Sequence, residues 1–424
     1  MSTTNPTSDL RIGFYPGGLD RSTFDILWTC FGTLFFCTWT TVYLNAPATW
    51  ERDRTIILRK LKWMLVTVLA PEVTTCMALS QMLEARRLAR EMRAALGQSG
   101  GEWTTVHSFV VVMGGYEIRY KRKWMGSGLE GTLLLDAPTA VLFAANGLIR
   151  DIPSSASLMR TMGTQSDFLG KGLSALQIAW LLIHIISRAS QQLPISELEV
   201  ATVAVAFAAT TNYAFWWHKP HDPSERVQLH VPRSRRLSGV VDSNMGQLMH
   251  VIPSESSPEL PYDVSFSLQQ SGHIDGAERG LRGRAENRVA PQALLRNLRR
   301  EDATDLLDKE IGVVLLFLGA GSTIFCGIHC AAWNFSFPTL VELWMWRGAS
   351  CLCLVSSLGI VCCLWISTMA GKGSRILVIS ALCSFSALYL VARVFIVFEL
   401  FFSLRSMPED LYLIQGWTRY FPRF

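Results

Sequence analysis

ILVISALCSFSALYLVARVFIVFELFF, residues Ile376 to Phe402, decides the fold class. At 1.5 Å of rise per residue, a helix of that length outruns the ~30 Å hydrocarbon core of a bilayer and has to tilt or emerge. Its charged residues are Arg393 and Glu399. An arginine at that depth needs a partner inside the protein or a route to the headgroups, so the stretch predicts a helical bundle with some polar interior.

Working outward, Gly371-Lys372-Gly373-Ser374-Arg375 joins this segment to Gly348–Ala370, and so short a turn makes the two antiparallel neighbours. Ile311–Ile328 lies before them, and GIHCAAWNFSFPTLVELWMW (Gly327–Trp346) forms an aromatic cap between the two, with His329 at its edge. His329 and Trp333, four apart, share a face if the helix continues, and Pro338 ends any extension. Toward the N-terminus the apolar segments Phe24–Leu44, Trp63–Leu83, Phe168–Ile186 and Leu198–Trp217 complete the set. The expected fold is an all-α integral membrane protein of about seven transmembrane helices, with a small helical extramembrane insertion and a long disordered loop. Half of the residues are apolar and only 17% charged, a balance that suits a polytopic membrane protein better than a soluble enzyme.

The expected order is a polar tail (1–23), helices 1–2 (24–83), the insertion (84–167), helices 3–4 (168–217), a polar loop (218–310), helices 5–7 (311–402) and a C-terminal tail (403–424). Pro71-Glu72 interrupts the second span at mid-depth and turns Glu72 toward protein or water. EARRLAREMRAALG after it reads as a short basic helix along the headgroups. Thr104–Tyr116 is apolar but too short to span, which leaves re-entrant, interfacial and packed placements open. Ser196 followed by Glu199 predicts a capped helix start, with Glu197 and Glu199 as first-turn acids. With seven spans, the N-terminal tail shares one side with the basic polar segments, which points to a cytosolic N-terminus and a C-terminus across the membrane. Asn334-Phe335-Ser336 is then a lumenal sequon too close to the span for use. The N-terminus lacks the apolar core of a cleavable signal peptide.

The residues do not spell a reaction. The ten cysteines fall in apolar segments without CxxC spacing, so they read as small hydrophobes, and no metal or cofactor set emerges. His107, His184 and His329 lie singly on separate segments, and His218/His221 flank Lys219. A hydrogen-bonded structural role is the plainer reading of each histidine. Glu72, Glu117 and Glu399 qualify as buried acids, against the plainer role of partnering Arg393 or Arg119. The candidate catalytic set is Glu72, His107 and His329; Ser238, after Arg235-Arg236, is the candidate phosphorylation site. The chain has no phosphate-cradling loop, no nucleophile elbow and no repeat of the Pro71-Glu72 break, which weighs against ATP-driven, hydrolase and repeat-type transporter functions. A modest charge of +5 without interleaved basic and stacking residues argues against nucleic acid as a partner. The expected partners are membrane lipid and a hydrophobic small molecule.

HSFVVVMGGY (His107–Tyr116), LPISELEVATVAVAF (Leu193–Phe207), YAFWWHKP (Tyr213–Pro220) and IHCAAWNFSFPTLVELWMWR (Ile328–Arg347) together resemble a large family of fungal multi-pass membrane proteins of unassigned activity. The resemblance implies a fungal source, an endoplasmic reticulum, other endomembrane or plasma-membrane location, and an association with specialised-metabolite pathways; it transfers no catalytic residue. Two functions stand: acting on, or assisting others that act on, a lipophilic metabolite, or serving as a receptor, sensor or scaffold without enzymatic activity.

Overall fold

The structure, a computed structural model, describes residues 11–413 except 18–19, 48–50, 125–126, 146, 148, 150–151, 163–166, 222, 224–225, 230–301 and 370–374. Ser238 and most of the long polar loop lie outside the described residues, as does most of the basic turn after Gly348–Ala370.

The chain is mostly helical: α1 (Thr23–Thr41), α2 (Asp53–Leu69), α3 (Pro71–Leu96), α4 (Thr105–Val112), α5 (Ala137–Ala145), α6 (Ser155–Met162), α7 (Asp167–Ser190), α8 (Glu197–Phe215), α9 (Asp302–Cys330), α10 (Leu340–Met369) and α11 (Arg375–Phe402). Five stretches, within α7 and α8 and running along α9, α10 and α11, are long and apolar enough to cross a membrane; α2 and α3 pass the same test only as a pair, bent by 113°, a broken span or a re-entrant loop. α1 is not among these stretches; it carries six threonines, four of which return their hydroxyls to carbonyls of the preceding turn. It still presents two faces: Ile26, Cys30, Thr33 and Cys37 inward, Phe24, Trp28, Phe31 and Phe35 outward.

α8 is the central post. It contacts α1, α3, α7, α9 and α11. Its alanines 201, 204, 206, 208 and 209 are buried on several sides, and their small side chains let neighbouring backbones approach. The Ser196 capping box forms as the sequence predicts.

The two ends of the described chain meet. Strand β1 (Arg11–Ile12) pairs antiparallel with β5 (Met407–Pro408), and Arg21 N–H donates to the Tyr412 carbonyl at 3.0 Å. At the opposite end of the bundle, Ala46 N–H donates to Met113 O at 3.0 Å, and buried Lys219 reaches Tyr43 O, Asn45 Oδ1 and Gln81 Oε1 at 2.8–3.0 Å. Chain ends that share one face require an even number of passes between them. Against the seven spans expected, five helices, or six with the bent pair, are long and apolar enough to span; within the bundle α1 and α7 to α11 each run its length once, whereas α2 and α3 enter and leave on the same side. The cause is local. Pro71 has no backbone N–H to continue α2 and is favoured at the first position of a helix, so Trp63–Leu83 breaks at Ala70 rather than running through.

α3 then runs unbroken to Leu96, so EARRLAREMRAALG is its second half and not a separate surface helix. The insertion is likewise corrected from helical to mixed. β2 (Tyr116–Trp124) pairs antiparallel with β3 (Ser127–Leu134) and parallel with β4 (Val227–Leu229), in the order β3-β2-β4. YEIRYK, at the start of β2, alternates aromatic or branched residues with charged ones, which is a strand's period. Within the Thr104–Tyr116 segment, α4 packs inside this subdomain with Leu88, Met92, Trp103, Phe143 and Leu158.

Candidate functional site

The break between α2 and α3 leaves the last carbonyls of α2 without intrahelical donors, deep in the bundle where water is not at hand. Arg393 of α11 supplies them. Its Nε–H donates to Leu69 O at 2.8 Å and its Nη2–H to Val68 O at 3.0 Å. The third arm, Nη1, donates to His329 Nε2 at 3.3 Å, and the guanidinium lies over the Phe325 ring at 4.5 Å from its centroid. Arg393 is 2% exposed. The partner that the sequence demands for Arg393 is thus the backbone of the helix break together with one histidine.

Two of the three sequence candidates converge here. Glu72, second residue of α3, faces the helix dipole's positive end and the charge of Arg393. It is 7% exposed, and its Oε2 has no hydrogen-bond partner among the described residues. The Tyr389 hydroxyl stands beside it as a hydrogen-bonding neighbour, though the pair falls short of ideal geometry. His329 faces inward and is buried, whereas Trp333 is exposed, because α9 tightens to a 3₁₀ turn at Ala331–Asn334 and the expected shared face is lost. His329 Nδ1 contacts Phe325 O at 2.9 Å; a carbonyl only accepts, so Nδ1 carries the proton and Nε2 offers its lone pair to Arg393. The imidazole is a filled link in the network and not a free base.

His107 lies apart, in the mixed subdomain. Its Nε2–H donates to Pro153 O at 2.6 Å, and Nδ1 accepts from the N–H of Thr104 at 3.1 Å and from its hydroxyl at 2.8 Å. Both nitrogens are satisfied only in the neutral ring. Burial lowers the His107 pKa below the ordinary histidine value, with the Pro153 carbonyl pulling weakly the other way.

A cavity of about 120 Å³ opens beside Glu72 between α3, α8 and α9. Pro71, Glu72 and Thr75 form its floor; Phe207, Ala208 and Thr211 one wall; Phe317, Ala320, Gly321, Ile324 and Phe325 the other. Phe325 stands between the cavity and Arg393, its ring shared by both.

A second buried polar cluster, which the sequence does not reveal as such, ties the chain ends together. Arg21 pairs with Glu199 at 2.5 Å, with His184 Nδ1 3.6 Å from the same oxygen. Arg188 donates to the carbonyls of Pro194, Asp410, Leu411 and Leu413. Glu199 reads locally as a cap residue; the signal for more was Arg21, a lone arginine immediately before the first apolar segment. Of the other acids weighed, Glu117 accepts from Gln228 Nε2 at 3.2 Å, and Glu399 sits near Glu342 and Arg405. Among the described residues no group of three or more histidine, cysteine, aspartate and glutamate side chains could hold a metal ion, and the ten cysteines are free.

No curated protein and no solved structure matches the chain. Residues 2–241 and 367–424 do match a described family, and these ranges contain Glu72, Tyr389, Arg393, Arg21, Glu199 and His107, while His329 and the α9 wall of the cavity fall between them. A match over well more than half of the residues places the chain in that family: it belongs to the family of unknown function DUF8562.

Proposed function

We propose that this is a multi-pass membrane protein that binds a hydrophobic small molecule within the bilayer, acting in or assisting lipophilic specialised-metabolite biosynthesis in a fungal endomembrane or plasma membrane. The observation that carries it is Glu72, a buried carboxyl group among the lining residues of an otherwise largely apolar cavity. Desolvating a carboxyl group is costly, and binding sites are where folds keep such groups. Exposed leucine, isoleucine and phenylalanine along α7, α9, α10 and α11 support insertion in lipid.

Orientation follows from charge. Arg52, Arg54, Lys62, Arg86, Arg87, Arg90 and Arg93 are all on α2, α3 or the loop before them, whose outer ends share the face of the mixed subdomain. By the positive-inside rule we read that face as cytosolic and the paired chain ends, residues 11–12 and 407–408, as lumenal or extracellular, the reverse of the side expected for the N-terminus.

The test is to purify the full chain and a Glu72→Ala form in parallel, extract each with organic solvent, and profile lipophilic metabolites in hosts carrying either. The expected result is a compound enriched with the wild-type protein and lost with Glu72→Ala, together with an altered host profile. No enriched compound and an unchanged profile, at equal protein levels, overturns the proposal in favour of a receptor, sensor or scaffold.

A further inference from the structure

Helix α2 turns apolar residues outward along its whole length. Lys60, Trp63, Met64 and Thr67 face the bundle, whereas Ile57, Leu58, Leu61 and Leu65 are 50%, 65%, 44% and 60% exposed. Arg54, Leu58, Leu61 and Leu65 follow the i, i+4, i+7, i+11 spacing that lines one face of a helix, with Ile57 on one flank and Lys62 on the other. Arg52, Arg54 and Lys62 are exposed, and none has an ion-pair partner among the described residues; Lys62 Nζ lies 5.9 Å from the Trp63 ring centroid. The nearby acids do not cancel them. Arg59 holds Glu51 at 3.0 Å, which leaves exposed Asp53 against three cations.

The dimensions of this face single out its occupant. From Arg54 to Leu65 the helix rises ~16 Å, about one leaflet's share of a ~30 Å hydrocarbon core. A cation at the outer end of an apolar stripe one leaflet long matches a phospholipid, its acyl chain on Leu58, Leu61 and Leu65 and its phosphate at Arg54. Lys62, deeper on the same face, reaches back toward that headgroup along its four-carbon stem. A zwitterionic head would bring its own cation against this surface, and an anionic head does not. The outer end of α2 also lies on the face read above as cytosolic, where the leaflet is rich in anionic lipid. Resting on that membrane reading, we propose that the outward face of α2 is a binding site for an anionic phospholipid of that leaflet.

The experiment titrates the full chain, in a nonionic detergent, with phosphatidylserine, with phosphatidylcholine of the same acyl chains, and with glycerophosphoserine, which has the headgroup and no chains. Native mass spectrometry counts the bound molecules. Phosphatidylserine should bind at least about fivefold more tightly than phosphatidylcholine, the factor that one basic side chain near an anionic surface contributes. Arg54→Gln should cut phosphatidylserine binding about fivefold and bring it toward that of phosphatidylcholine. Leu58→Ala with Leu61→Ala should weaken both lipids alike. All three side chains are exposed, so the elution profile should not change. Arg86→Gln, at an exposed arginine of α3, the arm bent 113° from α2, should alter neither lipid. Equal binding of the two lipids, or an equal loss from Arg86→Gln, overturns the anionic site on α2. Glycerophosphoserine binding as tightly as phosphatidylserine overturns a lipid as the occupant, because the stripe then contributes nothing. Membrane insertion is read separately, from retention of the chain in the membrane pellet after alkaline carbonate. A retained chain that binds neither lipid loses the site alone, and a released chain loses the membrane reading with it.

Discussion

Replacing Arg393 by methionine isolates the interaction on which the helix break depends. The substitution keeps an unbranched side chain of similar reach but removes three hydrogen bonds, to Leu69 O, Val68 O and His329 Nε2. It also removes the nearby positive charge from Glu72, which lies within its field. Hydrogen bonds to charged donors contribute about 1.5–3 kcal/mol each in soluble proteins, but buried side-chain bonds in membrane bundles average nearer about 0.6 kcal/mol. Two orphaned carbonyls and one unshielded carboxylate raise the loss, so Arg393→Met should cost roughly 3–5 kcal/mol, the range for breaking a buried charge network. Thermal unfolding of the purified protein in one fixed detergent should fall by about 3–6 °C on that basis. Arg393→Lys should recover only part, because three donors on one point cannot follow the fork that meets Val68, Leu69 and His329 at once. The double change Arg393→Met with Glu72→Gln should cost less than the sum of the single changes, since each single change leaves the other group stranded. A loss under about 1 kcal/mol for Arg393→Met, or strict additivity in the double variant, refutes the network.

Two further outcomes follow from the packing. Neutral His107 has both nitrogens satisfied and its pKa lowered by burial, so the unfolded chain binds the proton more readily. Its contribution is complete above the ordinary histidine value of about 6.5 and is lost as pH falls toward the depressed folded value. Thermal stability of the wild type should therefore drop more steeply from pH 7 to pH 5 than that of His107→Gln, with parallel curves counting against the assignment. A Cβ on Gly359 would stand 2.8 Å from the Phe385 ring, so Gly359→Ala should destabilise the α10–α11 pair by about 1–3 kcal/mol, measured by the same melting assay; no change means the ring moves aside freely.

What the sequence made legible were features with a local cause. Pro71 forces a break, Ser196 with Glu199 caps α8, and long apolar runs form long helices. Even the demand of Arg393 for an internal partner is visible in the chain, but the identity of that partner is not. Val68 and Leu69 lie more than three hundred positions away and offer only backbone, which carries no side-chain signal. The same limit hid Arg21 behind Glu199. A helix pair that turns back at Pro71 has the composition of a single span, so composition does not separate the two. The β2–β3 hairpin has a sequence signal only in the alternation of YEIRYK, a short one beside long helical neighbours. His107 and His329 shared a histidine's promise as bases, and only their neighbours show that each ring is already filled.

The central claim is that α2 and α3 dip into the bundle and return, holding Glu72 at the apex, between chain ends that share the other face. Sealed microsomes test it most directly. Epitope tags before Arg11 and after Leu413 should both be protected from added protease, while single cysteines placed at Arg54 and Glu102, in a background without native cysteines, should both react with an impermeant maleimide. Tags on opposite sides, or Arg54 and Glu102 on opposite sides, would contradict the re-entrant hairpin.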